Sequence, residues 1–155
     1  MPRPNPKAAE TKAMAVLEPA EPGLWFYNWK IWLDARQRLD RTLAPLGLRA
    51  REFYLLGIAG AGNLSQHEMA VLCGLDPSSM VAVLDGLERR GWLRRTRNPH
   101  DRRMQWVQRT EAGDRLFHRA QPRAQQAEEQ QLAGLSPAMR QRLVSAMGKL
   151  VATLK

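Results

Sequence analysis

The most chemically specific feature of this sequence is a cluster of arginines in its middle. Between Glu88 and Arg109 there are eight arginines against two acidic residues, and the whole chain carries a net charge of +9. Guanidinium groups stay charged at neutral pH and bind phosphate through paired N–H donors. Because a uniformly solvated surface would spread this charge along the chain, its concentration predicts that the segment binds a polyanion such as nucleic acid.

Catalytic chemistry finds little support in the same sequence. The three histidines lie on separate predicted elements, and no histidine or cysteine pair has the spacing of a metal site. There is no glycine-rich phosphate loop, and the pair Ser78-Ser79 has no base beside it in sequence. We therefore predict no enzyme activity, no cofactor and no metal. A metal site assembled between two copies stays open, and a metal assay on purified protein would decide it.

Cysteine usage and the apolar runs indicate the compartment. Cys73 is the single cysteine, which excludes an intrachain disulfide and is typical of a reducing environment. We find no apolar signal-peptide core near the first residue and no uncharged apolar run that would span a bilayer. We therefore expect a cytoplasmic protein without a membrane partner. A redox role for Cys73 needs an exposed thiol of lowered pKa, whereas its place at the end of an amphipathic helix favours a small buried hydrophobe.

Two short helices precede the arginine cluster. Ser65 and Glu68 have the spacing of a capping box, in which each side chain accepts the other residue's backbone N–H. Gly74 supplies a turn, and Asp76-Pro77 combines an N-cap with a proline at the first helical position. Two helices joined by so tight a turn predict a helix-turn-helix.

The second helix, Pro77–Arg90, has two distinct faces. On a helical wheel one side is apolar and the opposite stripe is small or polar. In a helix packed on a small core, the outer stripe is the face that meets a DNA major groove. The apolar side comprises Met80, Val83, Leu84 and Leu87, and the outer stripe comprises Ser78, Ala82, Asp85 and Arg89.

A predicted hairpin carries most of the arginines of this cluster. Trp92–Arg97 and Met104–Arg109 are short and strand-like, and Asn98-Pro99-His100-Asp101 between them favours a turn. Arginines at the tip of such a hairpin suit phosphates and a narrow minor groove. Helix, turn, helix and basic hairpin together predict a winged helix-turn-helix.

The remaining helices flank this unit. Leu24–Leu43 and Arg51–Ala59 precede it, and a Thr110-capped helix over Glu111–Leu132, with Pro122 as a place to bend, follows. Ser136-Pro137 begins a last helix. Its apolar stripe has little left to pack against within one chain, so we predict a homodimer seam. The stripe consists of Met139, Leu143, Met147, Leu150 and Leu154.

The amino-terminal region holds a proline-rich tail and an aromatic band. Residues 1–22 contain five of the ten prolines, which predicts a largely disordered tail, with a short docked helix over Thr11–Glu18 as the alternative. The first helix then begins with more aromatic residues than one face of a small monomer needs. Packing in the core or a dimer is one explanation, and a pocket for a planar aromatic ligand is the other. The candidate pocket residues are Trp25, Tyr27, Trp29 and Trp32.

At this point the sequence resembles a known family, the MarR family of bacterial transcription regulators. The similar pieces are the "LSQxE" helix start, "DPSS…LDGLERRG", the "DRR" of the hairpin and the closing "TEAG", which together cover residues 64–113. The resemblance implies a mainly α fold with a small β-hairpin wing. A winged helix-turn-helix over 48–110 would be flanked by dimerisation helices over 24–46 and 111–155, all within a single domain over 23–155.

The resemblance also implies a function. It predicts a dimeric, sequence-specific regulator on double-stranded DNA, a repressor released from a pseudo-palindromic operator by a small aromatic or phenolic ligand. Asp101 would structure the wing tip. The predicted DNA contacts are Ser65, Gln66, Ser78, Ser79, Ala82, Arg89, Arg94, Arg95, Arg97, Arg102 and Arg103.

Three departures from the family pattern qualify this prediction. Ala82 stands where many members have a long polar or basic side chain, and alanine offers a base only an apolar contact. This keeps open an architectural or RNA-binding winged helix of low specificity and without ligand control. Arg109 replaces the usual apolar residue before Thr110, which predicts an added phosphate contact. The residues before Leu24 exceed the minimal family pattern.

Overall fold

Helices and a small antiparallel sheet account for most of the residues that the structure describes. This computed structural model describes residues 22–98 and 104–153. The order confirms the predicted mainly α fold with a β-hairpin wing. The elements are α1 (Leu24–Leu43), a short 3₁₀ helix (Ala44–Leu46), α2 (Ala50–Ala59), β1 (Leu64–Ser65), α3 (Gln66–Cys73), α4 (Pro77–Arg89), β2 (Leu93–Arg97), β3 (Gln105–Arg109), α5 (Glu111–Gln131) and α6 (Pro137–Ala152).

The chain divides into two compact units, residues 1–35 and 36–155, so their boundary falls inside α1. In the described part of the first unit, the Phe26 ring contacts the rings of Tyr27 and Trp29. The predicted tail, including the short helix over Thr11–Glu18, lies outside the described residues apart from Pro22. The domain boundary predicted after residue 22 therefore stays a prediction.

The sheet has one more strand than the sequence predicted. Its order is β1-β3-β2, and all pairs are antiparallel. The hairpin pairs Leu93 with Arg109 and Arg97 with Gln105, close to the predicted bounds. On the other side of β3, Leu64 pairs with Val107. Sequence reasoning missed β1 because two residues are too few to show an alternating pattern.

A single apolar core lies in the second unit. Leu43, Leu55 and Leu56 of the first two helices meet side chains from α3, α4 and β3, and all of these are fully buried. The predicted inner face of α4 is confirmed, since Met80, Leu84 and Leu87 are buried and Val83 packs against them. Burying each such side chain contributes roughly 2 kcal/mol before entropy is counted.

The positions of Met69 and Leu72 in the sequence predict that both lie on the inner face of α3, and this prediction was half wrong. Met69 is buried as expected, but Leu72 is 64% exposed. The buried neighbour is Ala70, and Cys73 packs against the core one turn later. A helix of eight residues has too few apolar positions for its period to fix which side faces inward.

Local hydrogen bonds begin and end the helices where the sequence indicated. Ser65 Oγ accepts the Glu68 N–H at 3.2 Å, and Glu68 Oε2 accepts the Ser65 N–H at 2.7 Å. Gly74 ends α3 with φ +59° and Gly91 follows α4 with φ +69°, a left-handed backbone that side chains with a Cβ disfavour. The Trp92 N–H then donates to Leu87 O at 3.0 Å, which directs the chain from α4 into β2.

The start of α5 rests on the base of the wing. Thr110 Oγ1 accepts the Gly113 N–H at 3.0 Å and donates to Gly91 O at 2.6 Å. The Thr110 N–H donates to Trp92 O at 3.2 Å. A Cβ placed on Gly113 would lie 2.0 Å from that same carbonyl oxygen. The approach of α5 to the wing therefore requires a glycine at this position. Farther along, α5 continues through Pro122 as one helix.

Within the described residues, no single helix is both long and apolar enough to cross a membrane. Only α3 and α4 taken as a pair, with a bend of 113° between them, have the length and composition of a membrane-spanning segment.

We predict that Gly113→Ala lowers the free energy of unfolding by about 2 kcal/mol, because the new methyl group overlaps a backbone carbonyl that cannot rotate away. Urea denaturation followed by circular dichroism measures this change.

Gly86→Ala is the matched control, because Gly86 lies inside α4 with nothing within 4 Å of its would-be Cβ. It should raise stability by roughly 0.5–1 kcal/mol through helix propensity. Equal effects of the two substitutions would contradict the close packing of Gly113 on Trp92.

Candidate nucleic-acid interface

The outer face of α4 presents small side chains. Ser78 and Ala82 are exposed, as is Arg89 in the last turn. Ser79 is half-buried, and its N–H donates to Asp76 Oδ1 at 2.9 Å. The hydrogen bonds from Ser79 lower the pKa of the Asp76 carboxyl, which keeps this N-cap ionised at the helix start. Three residues of the outer stripe predicted from the helical wheel are therefore exposed, whereas the fourth, Asp85, is half-buried and pairs with Arg95.

The wing presents two exposed arginines on β2. Arg94 and Arg97 both point to solvent, and because they are three residues apart on a strand they lie on opposite faces. The predicted tip residues, Asp101, Arg102 and Arg103, lie outside the described residues. Their roles stay predictions.

Two of the residues predicted to contact DNA, Ser65 and Arg95, have side chains that are engaged within the protein. The Ser65 hydroxyl is occupied by the capping box, and the residue is only 5% exposed. Arg95 has an 18% exposed side chain, and its guanidinium forms ion pairs with both Asp85 and Glu88. Gln66 is half-buried and accepts a hydrogen bond from Arg95 Nη2 at 3.3 Å. The sequence pattern carried no signal for the partners of Arg95, because they lie on other elements than Arg95 itself.

Arg109, for which the sequence predicts a phosphate contact, also has its guanidinium engaged within the protein. Its side chain is 13% exposed, and Nε lies 2.9 Å from Asp114 Oδ1. The guanidinium carbon lies 4.4 Å from the centre of the Phe117 ring, and the group fills the space that a side chain at Gly60 would need. Arg109 therefore packs β3 against the start of α5.

Arg90 is a further arginine with an internal role that sequence reasoning did not assign. Its guanidinium pairs with Glu52 of α2 and donates to Gly47 O at 3.0 Å. It also lies over the Trp92 ring, 4.2 Å from the ring centre. This arginine fastens the end of α4 to the α1–α2 connection.

Cys73 lacks the property that a redox sensor needs. The residue is half-buried, and burial raises the pKa of its thiol, with the charge of Arg51 acting in the opposite direction. A raised pKa lowers the thiolate fraction at neutral pH. The residue therefore behaves as part of the core edge, in line with the hydrophobic interpretation of its position.

The side chains of the aromatic band on α1 are open to solvent in the described part of the chain. Trp25 is 82% exposed, and Tyr27, Trp29 and Trp32 are each just over half exposed. Helical spacing predicts one common face of α1 at Trp25, Trp29, Trp32, Leu39 and Leu43, and of these five side chains only the two leucines are buried. In the described part of the chain, no group of three or more His, Cys, Asp or Glu side chains has a metal-binding arrangement.

The chain is similar to known regulators in sequence. A sequence profile described as MarR family matches residues 46–104. An uncharacterized HTH-type transcriptional regulator, YwhA of Bacillus subtilis (strain 168), is 30% identical over 83 residues, which are 53% of this chain and 60% of that protein. The multiple antibiotic resistance protein MarR of Salmonella typhimurium is 30% identical over 95 residues, 61% of this chain and 66% of MarR. The chain thus spans somewhat less than two thirds of these relatives.

The similarity of fold extends over nearly the whole of a solved protein, CouR from Rhodococcus jostii RHA1. Its complex with p-coumaroyl-CoA gives a TM-score of 0.74 at 28% identity and covers 85% of this chain and 94% of CouR. CouR is also solved as a transcriptional repressor bound to a 23-mer DNA duplex, with a TM-score of 0.76, 28% identity, and coverage of 83% of this chain and 92% of CouR.

Proposed function

Because the chain belongs to the MarR family of winged-helix transcription regulators, we propose that it is a sequence-specific, DNA-binding transcription regulator. The observation that carries this proposal is the pairing of two exposed surfaces, the small-residue face of α4 and the basic strand β2. A groove can accommodate the first while phosphates meet the second.

Each surface has a distinct role in this proposal. Ser78, Ser79 and Ala82 face the bases in the major groove, where hydroxyls give adaptable hydrogen bonds and the methyl group suits a thymine. The remaining arginines neutralise phosphates and supply most of the affinity. Asp101 fixes the tip of the wing for entry into the minor groove. The phosphate-binding set is Arg89, Arg94, Arg97, Arg102 and Arg103, with Gln66 at the edge of the groove.

We further propose that the regulator is a homodimer on a pseudo-palindromic operator, in the cytoplasm with its DNA. No residue described in α6 is buried, and Met139, Met147 and Leu150 of its apolar stripe are each 45–56% exposed. Leu143 is half-buried, and Leu154 lies outside the described residues. An apolar stripe of this length on a helix is typical of a subunit interface. Two-fold symmetry of the protein then implies two half-sites in the DNA.

A small aromatic or phenolic ligand would release the DNA, so that the regulator acts as a repressor. The support is the exposed aromatic band on α1 and the p-coumaroyl-CoA bound to CouR. In a dimer the band of Trp25, Tyr27, Trp29 and Trp32 would be covered in part, which would convert an open surface into a binding site.

The DNA-binding role is tested by selection from random duplexes followed by titration. We expect an enriched sequence with two symmetric half-sites about one helical turn apart, bound at least about 10³-fold more tightly than random duplex at roughly 150 mM salt. In the same titrations Arg97→Ala should weaken binding to every duplex and reduce the salt slope of log K by about one, as should Arg103→Ala.

Arg142→Ala, which removes the same charge from the exposed surface of α6, is the control and should leave the slope unchanged. Unchanged affinity and slope for both wing variants would rule out phosphate contacts by the wing. Equal affinity of the wild type for enriched and random duplexes would instead favour the low-specificity architectural function.

The dimer seam is tested by placing a charge on it. Leu150→Glu should convert a dimer, with twice the 17.6 kDa chain mass, into a monomer at micromolar concentration, because an unpaired carboxylate would be buried in the seam. Sedimentation equilibrium measures the mass. Ser145→Glu on the opposite side of α6 should leave the dimer intact, and a dimeric Leu150→Glu protein would place the seam elsewhere.

The effector is tested by tryptophan fluorescence during titration with salicylate and p-coumarate. Binding near the band should quench emission, and Trp29→Phe or Trp32→Phe should reduce the signal, whereas Trp106→Phe on the wing should not. Effector binding should also release the enriched duplex. If no aromatic carboxylate changes either the emission or the DNA affinity, the ligand-released repressor is excluded for this class.

A further inference from the structure

One arginine of the wing is held by three side chains of the helix-turn-helix. Arg95 Nη2 lies 2.7 Å from Asp85 Oδ1 and 3.3 Å from Gln66 Oε1. Its Nη1 donates to Glu88 Oε2, and its backbone N–H donates to Glu88 Oε1 at 3.2 Å. The fork of one guanidinium therefore joins β2 to the last turns of α4 and to the first residue of α3.

The geometry of this cluster is that of a partly buried ion-pair network. Asp85 and Glu88 are one turn apart on α4, so their carboxylates lie on the same side of the helix. The Arg95 side chain is 18% exposed, and the two carboxylates are 48% and 40% exposed. A planar guanidinium can bind two carboxylates at fixed angles, which a lysine ammonium cannot reproduce.

The network also changes the charge that α4 offers to DNA. Asp85 and Glu88 sit on the recognition helix, and without a partner they would repel the phosphates beside the groove. Arg95 offsets one of these charges and directs both carboxylates toward the wing. Arg97, two residues farther along β2 and so on the same strand face, is exposed instead. The two arginines thus share a strand face but have different surroundings.

We propose that Arg95 is the positioning residue that fixes the recognition helix α4 relative to the wing and thereby sets sequence discrimination, without touching DNA itself. Base contacts by α4 and backbone contacts by the wing are made together only if the two elements keep one relative orientation. Non-specific binding tolerates a loose orientation because phosphates are everywhere along the duplex. This inference rests on the proposed DNA-binding function.

The experiment compares Arg95→Met with Arg97→Met, which remove the same charge from the same strand face. Each variant is titrated with the duplex enriched by the wild type and with a scrambled duplex of equal length. Arg97→Met should weaken binding to both duplexes by a similar factor and lower the slope of log K against log salt concentration by about one. Arg95→Met should reduce the preference for the enriched duplex by roughly tenfold, while the scrambled duplex changes far less.

A second arm uses the partners of Arg95. In a protein that carries Asp85→Asn and Glu88→Gln, the ion pairs of the network are already lost. Adding Arg95→Met should then change the preference for the enriched duplex over the scrambled one by only about onefold, which means no further loss. Arg95→Lys keeps the positive charge but lacks the planar guanidinium, so it should recover only part of the preference for the enriched duplex. This variant also allows the test if Arg95→Met does not fold. An equal loss on both duplexes that persists in the double background would overturn the proposal in favour of a direct phosphate contact.

The network can also be measured without DNA. Urea unfolding is measured for the wild type, Arg95→Met, the Asp85→Asn, Glu88→Gln double variant and the variant that combines all three substitutions. The changes in the free energy of unfolding caused by Arg95→Met and by the double carboxylate substitution should be coupled rather than additive. Additive effects would overturn the positioning role whatever the DNA result. If the wild type itself shows no preference between the two duplexes while the unfolding coupling is present, the proposed function fails and the ionic network stands.

Discussion

The junction at Trp92 is the constraint on which the arrangement of this winged helix depends. Its N–H donates to the end of α4, its carbonyl oxygen accepts from Thr110 before α5, and its ring lies under the Arg90 guanidinium. Gly113 approaches that same carbonyl so closely that no larger residue fits. Recognition helix, wing and α5 therefore diverge from a single residue, and a shift at this point would move all three.

The cost of charge burial explains why the arginine cluster divides into two groups. Arg95 and Arg109 have side chains that are more than four-fifths buried, and each faces a carboxylate. Removing a guanidinium from water without such a partner would be strongly unfavourable. The acidic and aromatic residues around them thus serve the fold. Arg94 and Arg97 are exposed instead, so among the described arginines of the wing these two are available to phosphates.

This division changes how the net positive charge relates to function. The number of arginines in the sequence overstates the charge that the wing offers to DNA, because Arg95 and Arg109 form ion pairs with Asp85, Glu88 and Asp114 of the protein itself. The proposed recognition surface is correspondingly modest, with hydroxyls and a methyl group on α4. Discrimination on such a surface would depend on rigid placement and on the shape of the DNA more than on long side chains that reach for bases.

The sequence by itself determined the elements and most of the α4 surface. Capping at Ser65 and Asp76, the left-handed turns at Gly74 and Gly91, and the period of α4 are all set by neighbours within about four residues, so their signals are local. These signals, with the "DRR" and "TEAG" pieces, were enough to predict a winged helix of the MarR type.

Only the tertiary structure decided which arginines are exposed and which hold the protein together. Arg95 meets Gln66 across 29 positions of sequence, and Arg90 meets Glu52 across 38. Strand β1 pairs with β3 across more than 40 residues, and the exposure of Leu72 depends on which side of α3 meets the core. Such pairings depend on how elements pack, and a one-dimensional pattern of charge or hydropathy carries no information about which distant partner a side chain will meet.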